Sequence, residues 1–346
     1  MRNSSGRHWW MPFGIVAAIV GCNARSPVAT LPVASANSGR ISERLRFSVS
    51  RTESKQKTAP RMDVSAKKLD LLYISDASSE VTVYTYWQKS LVGQLTGFVK
   101  PRGECVDAAG NVYITDAGAD AIVEYAHAAK KPLRTIDESP LRPNACAFDR
   151  TTGDLAVANT SEGSKGAGNV AIYARGSGEP AFYSDRTVGN FTALAYDNRG
   201  DLLTTNGASG NQTSKFAWLP KNGSKLIDLR IPGPSPSSEW KGVAGIQWDG
   251  QYFVLDGGAL FQISLLNGVA YYVGETQLDE FGGYPGSAWI YNANPKKQGT
   301  QVVIPYGNGG VSYFNYPAGG DAIASLYKGL SNPVGVTVSL AKNHEY

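Results

Sequence analysis

The chain has 346 residues, 18% of them charged, with a formal net charge of +4 and many Gly (39) and Tyr (18) residues. Few charges and many glycines suit tight turns between half-buried strands and argue against a helical enzyme core. Setting aside Arg2 and Arg7, which open the chain's leader, leaves +2 by the same count. That is far from the concentrated basic face a nucleic-acid binder needs.

The first element is an address. Arg2 and Arg7 precede an apolar run from Trp9 to Gly21, too short to span a bilayer as a helix and suited to a signal h-region. It ends Ile19-Val20-Gly21-Cys22, which resembles the bacterial lipobox. The resemblance implies a lipoprotein signal peptide over 1–21, cleavage before Cys22 and lipidation of its thiol; an ordinary secretory signal is the competing reading. Asn23 in the next position implies, by the same lipoprotein pattern, the outer membrane where the cell has one. Each buried CH₂ of an acyl chain would contribute about 0.8 kcal/mol to membrane attachment. Residues 22–62 are rich in Ser, Ala, Arg, Thr and Pro without strand or helix periodicity. Such a segment buries too little apolar area to offset ordering entropy, and it reads as a tether.

From Leu69 two phrases recur six times. The first is a short strand opened by Pro or a small residue: PRGECVD from Pro101, PNACAFD from Pro143, FTALAYD from Phe191, VAGIQWD from Val243, PGSAWIY from Pro285 and PVGVTVS from Pro333. The second is an apolar strand closing on Asp76, Asp116, Asn159, Asn206 or Asp256, with a degenerate sixth copy ending at Tyr306. Between them lie turns led by Asp107, Asp149, Asp197 and Asp249, in which Gly supplies positive φ and Asp side chains satisfy turn amides. Third strands are predicted at Val81–Tyr86, Ala121–Tyr125, Val170–Tyr173, Phe216–Leu219, Ala259–Ile263 and Val311–Tyr316. A repeat of about forty to fifty residues made of short strands predicts an all-β propeller. The first second-phrase strand has no first-phrase strand before it, and the last first-phrase strand has no partner after it. Six of each pair only if the C-terminal strand joins the N-terminal blade, which predicts six blades over 63–346 in a closed ring without exposed sheet edges at the seam.

Cys105 and Cys146 occupy adjacent copies of the first phrase. Aligning the copies on Asp107 and Asp149 sets Cys105 against Ala147 and Cys146 against Glu104. Alternation then sends the thiols to opposite sides of their sheets, which favours two separate buried thiols over a bridge.

The pattern P-x-G-x-x-x-D … G-N-x-Y-x-x-D over Pro101–Asp116 resembles the NHL-repeat and SMP-30/gluconolactonase propellers, and the likeness runs over about residues 69–340. In the gluconolactonase-like enzymes a divalent metal sits at the central channel mouth. By that resemblance its ligands would come largely from the residue after each blade-start Pro: here Arg102, Asn144, Thr192, Ala244, Gly286 and Val334. Only Asn144 suits a hard cation, which needs several oxygens, and Arg102 would set a fixed cation in the site. Glu104 lies two residues farther along the same strand face. The channel-mouth candidates are therefore Arg102, Glu104, Asn144 and Thr192, with no metal and no other cofactor expected. A lyase of the streptogramin-inactivating type would need channel histidines; His8, His127 and His344 are poorly placed, and His127 reads as an ordinary surface residue. The repeated Asp and Asn at strand ends read as turn caps rather than as a site. Trp248 and Trp289, inside first-phrase strands, are expected to pack between blades. Trp240 and Glu239, in the longest loop, together with Asn206 and Asn211, form a candidate recognition face, since binding residues concentrate in long loops on rigid scaffolds.

The sequence thus predicts a monomeric six-bladed propeller tethered by lipidated Cys22 in the cell envelope. Its expected role is non-catalytic binding of another envelope protein or a glycan, with no nucleic acid involved. The alternative is a lactonase- or lyase-type enzyme with a degenerate channel metal site.

Overall fold

The computed structural model describes residues 59–161, 167–207, 213–233, 240, 242–279, 286–291, 300–307 and 309–342. Their strands form six antiparallel sheets. Blade 2 runs from its innermost strand outward as Pro101–Val106, Val112–Asp116, Ala121–Tyr125 and Arg134–Asp137. Blade 3 follows as Arg142–Phe148, Leu155–Thr160, Asn169–Tyr173 and Ala181–Tyr183, and blade 4 as Ala193–Tyr196, Leu202–Thr205, Phe216–Leu219 and Ile227–Leu229. Blade 5 comprises Gly245–Trp248, Phe253–Asp256, Leu260–Leu266 and Val269–Thr276; blade 6 comprises Trp289–Tyr291, Gln301–Tyr306, Gly310–Asn315 and Gly319–Leu326. The first phrase supplies the innermost strand in every case.

Blade 1 closes the ring. Its innermost strand is Pro333–Ser339, paired antiparallel with Leu71–Asp76 so that Ile74 faces Val336. Glu80–Thr85 and Leu91–Thr96 continue outward, and Arg61–Met62 adds a short fifth strand on Leu91–Thr96. The Asp76 carboxylate locks the seam by accepting the N–H groups of Ser331 (2.6 Å) and Asn332 (2.9 Å).

Six apolar clusters fill the spaces between sheets, one for each pair of neighbours. The cluster of blades 6 and 1, for instance, joins Val303, Val311 and Tyr313 to Leu72, Ile74 and Val336. Trp289 packs against this cluster and Trp248 against that of blades 4 and 5, as the strand periodicity requires. Within each sheet, successive side chains point to opposite faces, so a blade offers alternate residues to the blade before and the blade after. On the innermost strands, small residues at the third position of the phrase allow close approach. A Cβ on Gly103 would lie 2.8 Å from the Asn144 carbonyl oxygen, and one on Gly335 would collide with the Arg102 carbonyl.

The turn reading holds at residue level. Asp107 accepts the N–H of Ala109 and Asn111, Asp149 that of Thr151, Asp197 those of Arg199 and Asp201, and Asp249 those of Gln251 and Tyr252. The cysteines correct an expectation. Cys105 and Cys146 form a disulfide, with Cα atoms 5.6 Å apart. Their thiols do leave opposite faces of their sheets, but neighbouring blades stack front to back. Cys105 points forward from blade 2 and Cys146 backward from blade 3, into the same inter-blade cluster.

Candidate functional site

The innermost strands place the residue after each blade-start position around the axis. Arg102, Asn144, Thr192, Ala244, Gly286 and Val334 are all partly exposed, and in blades 1 to 5 the residues on either side of them are buried. Blades 2, 3 and 4 contribute the polar half of this ring and blades 5, 6 and 1 the small or apolar half. Asn144 is held across the blade boundary, its Nδ2 donating to the Thr192 carbonyl at 2.7 Å. The Thr192 hydroxyl makes a long bond, 3.4 Å, to the Thr205 carbonyl.

Arg102 is half-buried, and burial pushes its guanidinium below the usual arginine range. It makes no hydrogen bond or ion pair with any described residue. Glu104 is not its partner and is not at the mouth, because a bulge between Pro101 and Glu104 breaks the strand alternation that would have set the two on one face. That carboxyl is sealed in the seam between blades 1 and 2, where Oε1 accepts from Ser75 Oγ at 2.6 Å and Oε2 meets no donor. Burial raises the Glu104 carboxyl well above the ordinary value, the Ser75 bond offsetting only part of the effect. The same seam holds Thr337, whose buried hydroxyl has no partner, and His127, whose Nδ1 lies 2.8 Å from Ser339 Oγ. His127 is thus a partly buried seam residue whose ring burial keeps neutral, rather than an ordinary surface histidine.

The strand-end acids divide into two kinds. Asp116 caps the N–H groups of Val99 (2.8 Å) and Lys100 (2.7 Å), Asn206 that of Lys215, and Asn159 donates to Glu138 and Asn169. Asp256 departs from this pattern. It pairs with Gly245, the third residue of its phrase, as Ser75 pairs with Gly335; Asp76 pairs two residues earlier, with Pro333, across a bulge. A one-residue register difference therefore turns Asp256 into the seam towards blade 6. Its carboxylate is fully buried there without any hydrogen bond, and burial raises its pKa to about 8.

Of the predicted loop face, Trp240 is not available to a ligand. Trp240 is only 6% exposed; its Nε1 donates to the Ile231 carbonyl at 3.0 Å and its ring meets Phe261 edge-on at 4.7 Å. It is core between blades 4 and 5, its indole turned inward where its apolar area and N–H are both satisfied. Glu239 and Asn211 lie outside the described residues, as does Cys22. One feature was not anticipated: a cleft of about 300 Å³ beside blade 3, lined by Asp137, Glu138, Tyr173, Glu179 and Phe182 among others. Glu138 is fixed there, accepting from Tyr173 Oη (2.6 Å) and Asn159 Nδ2 (2.7 Å), and its carboxyl is raised by burial. No periodic signal marks it, because its walls come from a blade-to-blade linker and an outer strand.

A divalent metal of the gluconolactonase type does not fit this axis. The six channel positions offer one guanidinium, one amide engaged by its neighbour, one hydroxyl and three side chains without oxygen. Among the described residues, no three His, Cys, Asp or Glu side chains come together.

No family model matches the chain, and no curated protein does. Among solved structures 1243 chains are similar, which means the fold alone says little about activity. One, described as "Crystal structure of Nidogen/Laminin Complex", superposes with a TM-score of 0.59 at 13% identity, covering 79% of this chain and 98% of that one. The likeness is one of fold. It agrees with the propeller architecture drawn from the strands.

Proposed function

We propose that the chain is an exported NHL-type propeller, held at the cell envelope through lipidated Cys22 and a tether, that binds a ligand or partner without transforming it. The observation that carries this reading is the distribution of charge. Glu104 and Asp256, whose carboxyls burial raises, are sealed in blade seams, and Glu138, raised as well, is buried at the wall of the cleft beside blade 3 and committed to Tyr173 and Asn159, whereas the axial mouth exposes a cation, Arg102. General acid–base chemistry needs a titrating group within reach of substrate, and the accessible mouth offers none. The Cys105–Cys146 disulfide supports placement in an oxidising compartment, as an exported protein requires.

The test has two parts. Cell fractionation of the parent and of Cys22→Ser should move the protein from membrane to soluble fractions. Purified protein supplied with Ca²⁺, Zn²⁺ or Mn²⁺ should show no turnover across a panel of lactones and esters. Metal-dependent turnover would establish the lactonase-type alternative instead.

A further inference from the structure

Three arginines among the described residues are partly buried: Arg102, Arg134 and Arg142. Arg134 is engaged by Glu124, by the Tyr113 hydroxyl and by the Gly176 carbonyl, and Arg142 also has a bonded partner. Arg102 has none. Partly desolvating a guanidinium costs free energy that a carboxylate or carbonyl partner ordinarily offsets. The nearest acid along its strand, Glu104, is committed to Ser75. The neighbouring mouth positions are Asn144 on one side and Val334 on the other, so the ring supplies no internal counter-charge. Ala244, Gly286 and Val334 leave the opposite half of the ring without bulky polar groups.

We infer that Arg102, flanked by Asn144 and Thr192, is an oxyanion-binding site at the axial mouth, taking a small carboxylate or phosphate whose apolar or neutral portion faces Ala244, Gly286 and Val334. A planar guanidinium matches either anion with two parallel hydrogen bonds. The Thr192 hydroxyl, whose bond to the Thr205 carbonyl is long at 3.4 Å, would supply a further one. This site deepens the binding reading above and rests on it.

Titration calorimetry on the purified full chain tests the site with three probes: D-glucuronate, inorganic phosphate and neutral D-glucose. Saturable binding of glucuronate or of phosphate with one site per chain is expected, and which of the two binds identifies the anion class. Glucose should not bind. Arg102→Ala should weaken the anion by about tenfold or more, and Arg102→Lys, which loses the fork, by an intermediate factor. Val334→Asp is a third variant that keeps Arg102 and supplies it with an internal carboxylate; it should also abolish binding while thermal unfolding stays near the parent. If neither anion saturates by about 10 mM, or if Arg102→Ala or Val334→Asp binds like the parent, the site is refuted. Saturable binding accompanied by turnover would keep the site and overturn the non-catalytic reading.

Discussion

Cys105 and Cys146 are bonded across the boundary between blades 2 and 3, on innermost strands that belong to different sheets. The bridge closes a loop with a sequence separation of 41, taking in the three outer strands of blade 2. On the chain-entropy account a loop of that length is worth about 4 kcal/mol. The Cys105→Ser/Cys146→Ser double variant should unfold in urea with a stability lower by about that amount. Thiol counting under denaturing conditions, with and without prior reduction, should reveal two additional thiols only after reduction.

Ring closure gives a second expectation. Removing residues after Leu330 deletes the strand that pairs with Leu71–Asp76 and leaves the Asp76 carboxylate without the Ser331 and Asn332 amides. The truncated chain should be insoluble or rapidly degraded by protease. A soluble truncation with unchanged thermal unfolding would show that the sixth interface does not hold the ring.

Asp256 makes stability depend on pH in a direction opposite to that of an ion-paired acid. Its folded pKa of about 8 exceeds the ordinary 3.8, so the folded chain keeps a proton that the unfolded chain releases across this window. Stability should fall as pH rises from about 4 to about 8 and level off above. Asp256→Asn should flatten that slope and be more stable than the parent at neutral pH. Urea unfolding of both proteins at acidic, neutral and alkaline pH measures the difference; an equal slope in the variant would sink the assignment.

Asp116, which looks like Asp256 in the repeat, should be costly to remove. Asp116→Ala leaves the Val99 and Lys100 amides unmet and should cost about 2–3 kcal/mol in urea unfolding. Asp256→Ala removes an unpartnered buried carboxyl and should cost far less.

Trp240 is a trap for binding experiments. Trp240→Ala removes a buried indole and its bond to Ile231, at a cost of about 3–5 kcal/mol. Any ligand bound by the parent should be lost from this variant only in proportion to unfolding, as circular dichroism on the same samples would show.

Most of the scaffold can be read from the chain because each blade repeats its own local physics. The Asp of every turn has amides to satisfy, the third position of the first phrase must be small, and two unpaired phrases demand closure. What escaped the sequence were relations between blades. Two thiols on opposite sheet faces meet because sheets stack front to back, a rule no single strand reveals. Asp256 differs from Asp76 by one step of register, which only the pairing with Gly245 discloses. Trp240 follows a Pro- and Ser-rich stretch, and nothing local says that its indole turns into the core. The residue following each blade start is partly exposed, while Glu104 was mistaken for a neighbour of the mouth because a bulge after Pro101, invisible in the spacing, breaks the alternation of its strand.

The bond from Ser331 to Asp76 spans 255 residues. A chain made from its N-terminus holds Leu71–Asp76 as a lone border for nearly the whole of its synthesis, and only the final strand to emerge can cover it. The torus cannot be finished piecemeal during translation. Its assembly waits for the strand Pro333–Ser339, so folding is governed by the most distant contact in the sequence rather than by the local hairpins.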